Sequence, residues 1–105
     1  MKNLVAVMIS LMSITAFAQE DKFQNIRQPW VVCAICHGAN GEGNVGPALA
    51  GRDAGYIIGR LMTYKRGEYV NIASPQMWSQ ARNLTDGQIG TLGVFVQEGF
   101  PERPE

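Results

Sequence analysis

One histidine and two cysteines are all that this 105-residue chain offers for imidazole, thiol or soft-metal chemistry, apart from its methionines. Charge of either sign is in no excess: nine Lys and Arg balance nine Asp and Glu. That balance removes the electrostatic case for nucleic acid or anionic lipid as a partner. The length admits one domain and excludes a multidomain enzyme. No apolar run reaches the roughly 20 residues that a membrane span needs. The two cysteines, Cys33 and Cys36, stand too close for a disulfide between them to close a loop of any entropic value.

The one long apolar stretch lies at the start. Lys2 gives it a positive beginning, Leu4 to Ile14 is broken only by Ser10 and Ser13, and Ala16-Phe17-Ala18 has the small-x-small form of a signal-peptidase site. Residues 1–18 are therefore expected to be a cleaved signal peptide and residues 19–105 a single exported domain, not inserted in a membrane after cleavage. No cysteine follows Ala18, so a lipid anchor is not supported. Cleavage removes Lys2 and leaves one acidic residue in excess. A domain this small buries a small core and often needs a staple. If Cys33 and Cys36 stabilise it, they do so by holding something else.

Cys33-Ala34-Ile35-Cys36-His37 gathers both cysteines and the histidine into five residues. CxxCH reads as c-type haem attachment, in which two thiols bond the porphyrin and the adjacent imidazole reaches the iron. On a helix, positions i and i+3 share a face, so both thioethers can address one macrocycle. A thioredoxin-like dithiol is the second reading and requires a βαβ setting. Zinc is the third; it requires four ligands and would have to recruit carboxylates that no close spacing offers.

From Trp30 to Phe100 the sequence resembles a class I monohaem cytochrome c of the small bacterial c4/c553-like branch. CAICHG (Cys33 to Gly38), GNVGPALAGR (Gly43 to Arg52), YIIGRLMTYKRGE (Tyr56 to Glu68) and MWSQARNLTDGQI (Met77 to Ile89) carry the resemblance, in family order. It implies an all-α fold of three to five helices wrapped around one covalently bound haem c. It also implies that the Pro47 carbonyl accepts a hydrogen bond from the free ring nitrogen of His37. Arg52 is a candidate partner for a haem propionate, or a solvated surface charge.

Other segments are readable from the residues themselves. Pro29 suits the first turn of a helix continuing to His37, although the family has a longer first helix and the crossing with the last helix is thereby put in doubt. Gly41-Glu42-Gly43-Asn44-Val45-Gly46 matches G-x-G-x-x-G. It follows CAICH and precedes Pro47 rather than joining a buried strand to a helix, so it does not read as a nucleotide fingerprint. Asp53 is a plausible N-cap for a helix carrying Ile57, Leu61 and Tyr64 and ending at Arg66-Gly67. Residues 68–79, broken by Ser74-Pro75, read as a loop carrying Met77. Thr85-Asp86-Gly87-Gln88 is a capping box, with Leu84 and Ile89 at the staple positions. The helix it opens presents Ile89, Leu92, Phe95 and Val96 and ends at Gly99. Gly87, Gly90 and Gly93 could let another helix approach closely, and the family leads one to expect the first helix there, with Trp30 or Phe23 filling the contact. Asn83-Leu84-Thr85 is a sequon that matters only in a eukaryotic secretory pathway.

Two methionines outside the leader, Met62 and Met77, could complete His/Met iron ligation, in which the thioether favours ferrous iron. Met77 is the expected ligand, by the resemblance of the segment after it to the family's; Met62 reads as packing and Trp78 as pocket wall. With both axial positions filled the iron has no place for substrate, so the expected function is a periplasmic carrier of single electrons between redox proteins, not an enzyme. The alternatives are a haem subunit of a periplasmic oxidoreductase complex, for example in sulfide or sulfur oxidation; a gas sensor or small peroxidase with an open iron; and a thiol oxidoreductase. A surface without a lysine ring leads us to expect modest salt dependence of electron-transfer rates.

Overall fold

The computed structural model describes residues 21–100. The expected signal peptide, residues 1–18, lies outside the described residues, as do the two residues after it and residues 101–105. Within the described residues the chain is all-helical, as expected. A 3₁₀ turn, Gln24–Ile26, leads into α1, Arg27–His37, followed by α2, Ala54–Lys65, α3, Ser74–Ala81, and α4, Asp86–Glu98.

Helix α4 starts where its capping box places it. The Thr85 hydroxyl accepts from the Gln88 amide at 3.0 Å while the Gln88 side chain accepts from the Thr85 amide at 2.9 Å. Two amide donors that the first turn leaves unpaired are thus satisfied reciprocally. The helix then buries Ile89, Leu92, Phe95 and Val96 on one face. Burial of side chains this size stabilises by roughly 1.5–3 kcal/mol each relative to exposure. Phe95 is the hub. Its ring lies 5.1 Å from Phe23, 5.2 Å from Trp30 and 4.7 Å from Phe100, all edge-on, the preferred geometry of aromatic quadrupoles. Phe23 and Trp30 together therefore fill the contact expected of one or the other.

The glycine stripe works differently from expectation. A methyl group on Gly93 would come within 2.9 Å of the Ala54 carbonyl and 2.6 Å of Ile58. The helix that approaches this position is α2, not α1. Gly90 meets nothing within 4 Å, and with Gly87 it lines a shallow groove beside Lys22, Phe23, Thr91 and Val94. The physical reason is the aromatic cluster: Trp30 and Phe23 reach α4 through rings, which hold α1 at ring distance and leave backbone approach to α2.

Helix α2 opens on Asp53, whose carboxylate accepts from the Tyr56 amide at 3.0 Å. It ends at Arg66, and Gly67 takes the left-handed conformation (φ 73°) that a residue with a Cβ avoids. Pro29 stands in the first turn of α1, as its fixed φ and missing N–H suit. Helix α1 starts only two residues before it, so the short first helix expected from Pro29 is present.

Residues 68–79 are not a loop throughout. From Ser74 they form α3, which carries Met77. Ser74-Pro75 opens this helix instead of breaking a loop, because proline at the first helical positions loses no hydrogen bond.

Candidate haem-binding site

The last two turns of α1 carry Cys33, Cys36 and His37. Both thiols are free. Cys33 is half-buried and packs against the core around Trp30, while Cys36 is exposed. Burial pushes the Cys33 thiol above its ordinary pKa, against a smaller opposing backbone hydrogen bond.

His37 is 8% exposed. Its Nδ1–H donates to the Pro47 carbonyl at 2.7 Å. A carbonyl can only accept, so the bond fixes the tautomer with the proton on Nδ1 and leaves the Nε2 lone pair free. Among the described residues Nε2 has no hydrogen-bond partner. Gly46 lies flat against the ring: a Cβ there would stand 2.7 Å from Cε1 and 2.8 Å from Nδ1.

The loop after α1 is laced to the helix end. The amides of Gly43 and Gly46 donate to the carbonyls of His37 and Cys36, each at 2.7 Å, satisfying acceptors that a helix C-terminus leaves open. Further along, the Gly51 amide donates to the Val96 carbonyl at 2.9 Å, joining the loop to α4. Trp30 adds a bond that the sequence did not signal. Its indole N–H donates to the Ala39 carbonyl at 3.2 Å, spanning the CxxCH segment.

Two competing uses of the cysteines lack their surroundings here. Among the described residues no cluster of three or more His, Cys, Asp or Glu side chains could hold a metal ion, so the recruited carboxylates of the zinc reading are not in place. The cysteines lie within a helix, and among the described residues no strand gives the βαβ setting of a dithiol oxidoreductase. The G-x-G-x-x-G stretch follows helix α1 and not a strand.

Met77 is half-buried on α3 and Met62 half-buried on α2. Helix α3 is pinned to the turn before it. The buried Ser74 hydroxyl oxygen accepts from the amides of Val70 and Asn71 at 2.9 and 2.8 Å. The Trp78 indole N–H donates to the Glu68 carbonyl at 2.8 Å. Trp78, expected as wall packing alone, is thus also a hydrogen-bond donor.

Arg52 is exposed. Its Nε donates to the Ala48 carbonyl at 2.9 Å, and its guanidinium carbon stands 5.7 Å from the centre of the Tyr56 ring. Arg60 donates to the Tyr56 hydroxyl at 3.3 Å and holds the phenol below its usual pKa. Residues 28–36, 43–51 and 69–81, which carry the cysteines, Pro47 and Met77, contain no charged side chain. Among the described residues the ion pairs Lys22–Glu98, Arg27–Asp21, Lys65–Asp86 and Arg66–Glu68 all lie outside them.

Two free thiols on neighbouring turns, an imidazole with Nδ1 held and Nε2 unbonded, and a glycine lying against that imidazole fit a covalently held haem. No helix among the described residues is long and apolar enough to cross a membrane. No family model matches the chain. Over 65 residues, 61% of this chain and 27% of the relative, it is 35% identical to Cytochrome c-552 of Acidithiobacillus ferridurans. The chain thus spans about a quarter of that relative's length, and along the matched stretch it is similar to a c-type cytochrome.

Proposed function

We propose that this chain is a monohaem c-type cytochrome that passes single electrons between redox proteins in the bacterial periplasm. The observation that carries the reading is the Nδ1–H bond from His37 to the Pro47 carbonyl, at 2.7 Å, directly after two free cysteine thiols. A haem bound here supplies a one-electron ferric/ferrous couple.

Cys33 and Cys36 would hold the group covalently through their two free thiols. His37, oriented by Pro47, would hold the iron through Nε2, and a hydrogen bond of this kind also raises the basicity of such a ligand. Met77, on α3, would hold the iron through its thioether, and with both groups bound no position would remain for substrate. Arg52, whose Nε donates to the Ala48 carbonyl, would be the candidate partner for a propionate.

Mass spectrometry of the exported protein tests the reading. A mass of residues 19–105 plus one haem is expected; retention of residues 1–18 overturns the leader, and a haem-free mass overturns the cofactor. Cys33→Ala and Cys36→Ala should each impair accumulation of holoprotein.

A second reading is a haem c electron-transfer subunit of a larger periplasmic oxidoreductase; the matched stretch is 27% of its relative, so such a domain occurs within a longer chain. Size exclusion of material from the native host separates the two. A carrier elutes near its own mass and a subunit co-elutes with its partner.

A further inference from the structure

Trp78 is the neighbour of Met77, yet it takes no part in the hydrophobic core built on Phe23, Ile26, Trp30, Ile57, Leu92, Phe95 and Val96. It is half-buried, and its one polar atom is spent on a single bond, from Nε1–H to the carbonyl of Glu68 at 2.8 Å. Glu68 in turn is a fixed point. Its amide donates to the Thr63 carbonyl at 3.1 Å, closing the end of α2, and its carboxylate pairs with Arg66 at 2.8 Å.

Helix α3 has only eight residues. A helix this short is marginal by itself and takes its orientation from whatever it is tied to. At its first turn the tie is Ser74, which holds the preceding turn through the amides of Val70 and Asn71. That bond holds the start of the helix, and at its end Ala81 is fully buried. The Trp78 indole, a long rigid side chain, adds to that packing a directional hydrogen bond off the helix axis, which opposes rolling. Met77 and Trp78 are successive residues about 100° apart around the axis, so fixing the azimuth of one fixes that of the other.

We infer that Trp78 is the positioning residue that sets the roll of α3 and with it the reach of the Met77 thioether. The inference rests on Met77 being the distal iron ligand. Trp78 acts through the backbone of α3 and does not itself bond the cofactor.

The test is Trp78→Phe in the holoprotein, which keeps an aromatic ring and removes only the N–H. The near-infrared sulfur-to-iron band reports the Met77 bond, and far-ultraviolet ellipticity reports the fold. In the wild type the band and the ellipticity should be lost together on heating. In Trp78→Phe the band should be lost at a clearly lower temperature than the ellipticity, and carbon monoxide should bind the reduced form on the order of ten-fold faster, the factor expected for one lost hydrogen bond. A purely structural role would move the two thermal transitions together and leave carbon monoxide binding unchanged at low temperature; that result overturns the inference. If Trp78→Phe does not accumulate, the analogue carrying sulfur in place of the indole N–H at position 78 preserves shape and gives the same comparison. Absence of the band in the wild type, with Met77→Ala spectrally silent, overturns the ligand assignment and the inference with it.

Discussion

His37 and Pro47 meet through a 2.7 Å hydrogen bond, and the glycine that precedes Pro47 lies against the same imidazole. The loop therefore orients the ring by one bond and limits its tilt by contact. A methyl group at position 46 would press on Cε1 and Nδ1, and both are ring atoms that cannot swing away without losing the bond. Gly46→Ala should destabilise the holoprotein by about 1–3 kcal/mol, the usual cost of overpacking. The change is readable in the denaturation midpoint and in the spectrum of the oxidised protein. An unchanged midpoint would show that the loop yields.

Position 93 and position 90 should respond with opposite sign to the same substitution. Gly93→Ala drives a methyl into the Ala54 carbonyl and Ile58 and should loosen α2 from α4. Gly90→Ala meets open space and should stabilise by about 1 kcal/mol through helix propensity alone. Thermal unfolding of the two variants checks this directly.

The start of α4 was legible in the sequence because every signal at Leu84–Ile89 is local: a capping box and a staple require only neighbours in the chain. The same holds for Asp53 before α2. Helix α3 was not legible as a helix, because eight residues give no secure periodicity and Ser74-Pro75 reads equally as a break. The available signal was Pro75 itself, which suits a first turn. The partner of the glycine stripe was not legible either, since which helix meets Gly93 depends on the bulk of Trp30 and Phe23 against Phe95. For the site, Cys33, Cys36 and His37 were visible as a motif, whereas the indole bonds of Trp30 and Trp78 join positions whose proximity exists only in the fold.

Met77→Ala should leave haem attached through Cys33 and Cys36, because attachment and distal ligation are separate chemistry on separate helices. It should abolish the near-infrared sulfur-to-iron band, lower the reduction potential and admit carbon monoxide to the reduced form. Met62→Leu should change none of these, since a swap that roughly conserves volume costs less than about 1.5 kcal/mol. Loss of the band in Met62→Leu with retention in Met77→Ala would reverse the assignment.

In chain that has not yet received haem, the two thiols should differ in reactivity. Cys36 is exposed, while burial raises the pKa of Cys33, so alkylation at mildly alkaline pH should label Cys36 first. The sign for stability follows from the neutral thiol being favoured in the folded state. The contribution of Cys33 is fully present below the ordinary cysteine value and is lost as pH rises through its elevated one. Equal labelling rates would show that the haem-free chain does not hold the fold described above.

The glycine-rich loop, residues 38–51, would by composition be expected to open freely, yet its amides at Gly43 and Gly46 end on α1 and its amide at Gly51 ends on α4. It behaves as a seam between the two ends of the molecule. Amide hydrogen exchange at these three glycines then measures the breathing of the whole cofactor pocket: all three should exchange as one cooperative unit with the C-terminal turns of α1. A protein of this construction keeps its most permissive backbone where movement would break the bond that holds the His37 ring.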